Sequence, residues 1–211
     1  MSARDLLRSN DERFRGMAER LSASDWSHPS LCEHWSNHQV LAHLVIGYSA
    51  GPAPIVNEMR RSAWSFDKVN AALARSLARS RTPAQLLEDF GALTAAPRGL
   101  GRYLPRRLLL GDHVTHELDI LLALGREPSI PVDALVAVLN TQVSVPNPFV
   151  PAFRNSRGLR LVAADVEWTH GTRGPLVEGR AVDVLSVLGN RPKMLSALHG
   201  DGVDVLASRV R

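Results

Sequence analysis

Asp112 and His116 stand four residues apart in "GDHVTHELD", and His43 interrupts the apolar run "VLAHLVIGY". On a helix, four residues rise about 6 Å and return to the same face. Asp112 and His116 can therefore offer an oxygen and a nitrogen to one ion. His43, from a second helix, would complete a set of two His and one carboxylate. Such a set is common at catalytic metals and leaves positions open for water or substrate. Zinc is the favoured occupant; iron(II) accepts the same facial set, and nickel and manganese stay open. His113 competes with His116 but points about 100° away from Asp112. Each piece also has a plainer reading. An imidazole in an apolar helix is commonly a hydrogen-bonded core residue. An Asp/His pair at this spacing is commonly a surface ion pair.

The elements that would position these residues are helical. Residues 2–22 carry Leu7, Phe14 and Leu21 at seven-residue spacing, widened by Leu6 and Met17. "SASDWSHPSLCEHW" breaks the pattern, and a helix restarts at Ser36, with Gln39 three residues on as a capping box. Gly51 and Pro52 break the chain again before a helical turn or two. Residues 67–80 are alanine-rich and favour helix. Thr82 and Pro83 open another helix as N-cap and first residue. "PRGLGRYLP" reads as a linker. Residues 106–124 form the longest expected core helix, with Gly125 as its C′ residue. "PVDALVAVLNTQV" is a shorter helix. Three prolines in "SVPNPFVPAFRNSRG" mark a boundary. Beyond it, "LRLVAADVEWTHG" and "GPLVEGRA" read as strands with turns at Gly171 and Gly174, and "AVDVLSVLGN" as a helix. The expected architecture is mainly α: a helical bundle over residues 1–143, a linker at 144–158 and a small α+β domain over 159–211. There is no internal repeat or low-complexity tract.

Composition narrows the function. At 211 residues and 45% hydrophobic content the chain can bury a real core. No apolar run reaches the roughly 18–20 residues of a membrane span. The charged start "MSARDLLRSNDERFRG" does not read as a secretory signal, so a cytoplasmic location is expected. Lys68 and Lys193 are the only lysines among 25 basic residues, and the net charge is +4. The arginines are scattered among acidic residues, without basic tail, finger spacing or aromatic platform. Nucleic acid is therefore not an expected partner. The single cysteine, Cys32, excludes an internal disulfide and a Cys-rich zinc finger.

With these residues in hand, the chain resembles the mycothiol-dependent maleylpyruvate isomerase family, within the broader DinB-like metal-binding four-helix bundles. The resemblance rests on "LCEHWSNHQVLAHL", on "GDHVTHELDILLALGREPSIP", and on the tail from "LRLVAADVEWTHG" through "LHGDGVDVL". It implies a DinB-like bundle followed by a small C-terminal domain reminiscent of sterol-carrier-like folds. It implies zinc held by His43, Asp112 and His116, with mycothiol as thiol cosubstrate and a small electrophile as the other reactant. The outcome would be an isomerase or an S-transferase. The family often has Glu where this chain has Asp112, which is one methylene shorter. That departure keeps a non-catalytic metal- or ligand-binding module as the alternative. A homodimer is compatible with either.

Other residues are secondary candidates. Asp119, three residues after His116, can accept a hydrogen bond behind the ligand, or else cap or pair with Arg126. Arg191 can hold an acidic substrate, or else be a solvated surface arginine. Cys32 reads as a packed loop thiol, and His34 and His38 as solvent-facing. Trp26, Trp35, Trp64 and Trp168 line a pocket or pack in the core.

Overall fold

A computed structural model of the chain describes residues 1–61, 65–147 and 150–210. Trp64 lies outside them. Four helices start on a reciprocal capping box, in which a Ser or Thr side chain accepts from the backbone N–H three residues on and that residue's side chain bonds back. They are α1 (Ala3–Ala18), α2 (Ala23–Ser27), α3 (Asn37–Ser49) and a later helix, α6. The caps expected at Ser36 and Thr82 are present, with Pro83 in the first turn of α6 (Pro83–Ala95). Between α3 and α6 lie α4 (Pro52–Arg61) and α5 (Phe66–Ser80). At ten residues, α4 exceeds the expected turn or two. α2 was not expected at all.

α7 (Arg106–Ala123) is the axis of the molecule. It touches α1, α3, α8 (Val132–Ser144) and α10 (Ala181–Leu188). From His113 to Leu121 every residue is buried, which explains why that stretch shows no polar face. Gly125 follows it at φ 63°, the left-handed C′ residue that glycine suits. α1, α3, α6 and α7 close a ring around the core. Phe14 and Phe90 meet edge to face there at 5.6 Å, among Leu41, Leu44, Leu86, Leu110 and Leu118. The "PRGLGRYLP" linker is pressed onto the end of α3. A Cβ at Gly101 would stand 2.1 Å from the carbonyl oxygen of Gly47.

The boundary stretch contains a short helix, α9 (Ala152–Ser156), against α8 and α10. Beyond it β1 (Arg160–Ala163) is the centre of a three-stranded sheet. It is antiparallel to β2 (Trp168–His170) and parallel to β3 (Leu176–Gly179). Gly171 and Gly174, at φ 78° and 104°, make the expected turns. α10 covers the sheet and returns the chain to α7 and α8, and α11 (Val203–Ala207) follows. Trp168 Nε1–H donates to Asn140 of α8 at 2.8 Å, tying sheet to bundle. The fold is mainly α with a small α+β C-terminal region. No described helix is long and apolar enough to cross a membrane.

Candidate metal centre

α3 and α7 run side by side and bring His43, Asp112 and His116 together, each offering one ligand atom within 4.8 Å of the others. Asp112 Oδ1 lies 3.8 Å from His43 Nε2 and 3.6 Å from His116 Nε2. These gaps exceed ordinary hydrogen bonds. They sit slightly above the roughly 3.4 Å that separates ligands bound about 2.1 Å from one tetrahedral ion. The imidazoles are nearly covered, at 14% and 11% side-chain exposure, whereas Asp112 is 36% exposed. The carboxylate therefore marks the open side.

Charge suits a cation. Burial pushes the Asp112 carboxyl up, but the neighbouring His116, His43 and His113 outweigh it and hold it well below the usual carboxylate range. Burial pushes the His43 imidazole down, against the opposing pull of Asp112. An ionised carboxylate and a neutral imidazole are the forms that bind a metal.

Behind His116 stands a buried carboxylate. His116 Nδ1 lies 2.9 Å from Asp119 Oδ2, so its N–H donates to that carboxylate and Nε2 is turned toward Asp112. Asp119 is 1% exposed and in turn accepts from Arg191 Nε at 2.7 Å and from Arg191 Nη2. Arg191 also donates to the Gly189 carbonyl. Burial raises the Asp119 carboxyl, but the Arg191 charge and its bonds, with that of His116, outweigh it and bring it down to about 2.

Three expectations are corrected here. Arg191 is neither solvated nor free for a substrate: it is 12% exposed and paired with Asp119. Arg126 pairs instead with Asp25, at 2.7 Å. His38 is half-buried rather than turned to solvent, its Nε2 3.0 Å from the Arg81 carbonyl. His34 is exposed as expected. Cys32 is half-buried and packs on the core. Trp26 and Trp168 are buried in the core, while Trp35 stands against both imidazoles of the centre.

A second buried polar network went unread in the sequence. His113 Nδ1 meets Asp11 Oδ1 at 2.6 Å, and Glu117 pairs with Arg13, which also bonds Asn10. Burial disfavours the charge on His113, but Asp11 overrides it and raises the pKa. This network joins α1 to α7 and takes His113 away from the centre.

Residues 7–106 match the model of the mycothiol maleylpyruvate isomerase N-terminal domain. The match takes in α1 to the start of α7, so within it lie His43 and Trp35, while Asp112 and His116 follow it on the same helix. Two crystal structures, of the mycothiol-dependent maleylpyruvate isomerase and of a point mutant of it, resemble the chain. Identity is 13% and 12%, with 94% of this chain and 91% of each neighbour covered at a TM-score of 0.49. No curated protein matches the chain.

Proposed function

We propose that the chain is a metal-dependent enzyme that activates mycothiol for attack on a small electrophile, as an isomerase or an S-transferase. The observation that carries this reading is the convergence of His43, Asp112 and His116 from two helices, with Asp119 behind, beside a family-matched N-terminal domain. Zinc is the proposed occupant, with His43 Nε2, His116 Nε2 and an Asp112 oxygen as its ligands. A free thiol has a pKa near about 8.5 and is only slightly ionised at neutral pH, and a bound divalent ion supplies the charge that favours its thiolate.

The protein's own groups prepare the site. Asp119 fixes the His116 tautomer and ring plane. Asp112 stays ionised and faces the open side. Trp35 meets the His43 ring at a steep angle and lies nearly parallel to the His116 ring. At that open side a thiolate can add to a carbon–carbon double bond. Rotation about the resulting single bond, then loss of the same thiolate, leaves an isomer. Retention of the sulfur, with a proton taken up at carbon, leaves a conjugate.

The test is turnover. Zinc-loaded protein is incubated with mycothiol and either maleylpyruvate or an activated alkene. Isomerisation or conjugation that disappears in His116→Ala supports the proposal. Thermal stabilisation by mycothiol without turnover of either electrophile would replace it with the binding-module reading.

A further inference from the structure

The two imidazoles of the centre are held by different means. His116 has a carboxylate on its outer nitrogen. His43 has none: its Nδ1 is buried and makes no hydrogen bond to any described group. Its ring has aromatic neighbours instead, the His116 ring at 4.7 Å and 71° among them. The Trp35 indole meets it at 5.3 Å and 61°, and the same indole lies nearly parallel to His116 at 6.4 Å and 10°.

The loop that carries Trp35 is built to hold it. Trp35 O accepts from Ser30 N at 2.9 Å, and Ser30 Oγ, itself buried, lies 3.0 Å away. Trp35 N donates to Cys32 O at 3.1 Å, and Pro29 pairs with Ser36 across the neck of the loop. His34 takes φ 65°, an uncommon conformation for a residue with a side chain, while that side chain is 83% exposed.

We infer that Trp35 is the positioning residue of His43: its indole does for that ligand what Asp119 does for His116. This inference rests on the metal reading above. The two nitrogen ligands are then unequal, one fixed by a hydrogen bond and one by a ring face. Without the indole, the His43 ring can rotate and the cation loses one pre-aimed donor.

The experiment uses full-length protein freed of metal by chelator and titrated with Co²⁺. Affinity is compared among native protein, Trp35→Leu, which keeps an apolar side chain without a ring, and Trp35→Phe, which restores one. The Leu variant is expected to weaken Co²⁺ binding about ten- to hundredfold, as removal of a ligand's support does, and the Phe variant to recover most of it. In proton spectra of the Co²⁺-loaded protein, the exchangeable His43 ring N–H should broaden by solvent exchange in the Leu variant. The His116 N–H, bonded to Asp119, should stay sharp. Equal affinity in the Leu and native proteins, or in the Leu and Phe variants, would overturn the inference. So would equal broadening of both N–H signals. Failure of native protein to bind Co²⁺ would instead remove the metal reading on which the inference stands.

Discussion

Arg191→Met removes a guanidinium from a pocket in which it is 12% exposed and keeps an unbranched apolar stem in its place. Among the described residues, the carboxylate of Asp119, 1% exposed, then retains only the His116 Nδ1–H at 2.9 Å. Breaking a buried pair by removing one partner costs about 3–5 kcal/mol, because the other charge is left uncompensated. The surviving His116 bond puts the expectation near the lower end, about 3 kcal/mol. For a chain of this size that lowers Tm by about 6–12 °C. The assay is urea and thermal unfolding of protein kept metal-free by chelator, so that no binding energy enters. A double variant, Arg191→Met with Asp119→Asn, removes both charges and should cost less than the two single changes added together. A loss below about 1 kcal/mol in Arg191→Met, the range of an exposed pair, would refute the buried clamp. So would strict additivity.

Acid should weaken the same clamp. The folded Asp119 pKa of about 2 lies below its ordinary 3.8. Its stabilisation is therefore present above about pH 4 and lost as pH falls through about 2. Acid titration of metal-free Arg191→Met, followed by circular dichroism, should show that this component is gone. Asp11→Ala strands the 4% exposed His113 and should cost about 3–5 kcal/mol by urea unfolding, whereas Asp11→Leu with His113→Phe should recover most of that loss. Gly101→Ala drives a Cβ against the Gly47 carbonyl and should destabilise by about 1–3 kcal/mol, read as a lower denaturation midpoint. Free zinc at about 100 times its Kd should add about 2.7 kcal/mol to the stability of native protein and much less to His43→Ala.

What the sequence made legible was local. The Ser36 and Thr82 caps, the extent of α7 and the turns at Gly171 and Gly174 follow from residue types a few positions apart. The Asp112/His116 pair was visible for the same reason, since one helix fixes its geometry. Placing His43 beside it required only that two apolar helices pack. What stayed hidden depends on partners far apart in the chain. Arg191 lies 72 residues from Asp119, and Asp11 lies 102 from His113, so no spacing rule connects them. Of the two readings open for Asp119, an acceptor behind His116 or a partner of Arg126, the structure shows the first, and Arg126 pairs with Asp25. The parallel pairing of β1 with β3 is likewise non-local. The α2 helix was within reach: Ser22 and Asp25 form the same capping signature read at Ser36, masked by the prolines and serines around it.

The convergence of His43, Asp112 and His116 on one ion is tested most directly by anomalous diffraction at the zinc edge from crystals of the native protein grown with zinc. One peak per chain is predicted, about 2.1 Å from His43 Nε2, His116 Nε2 and an Asp112 carboxylate oxygen, with a further position open to solvent. A map with no peak between α3 and α7, or with zinc bound only at surface residues, would contradict it.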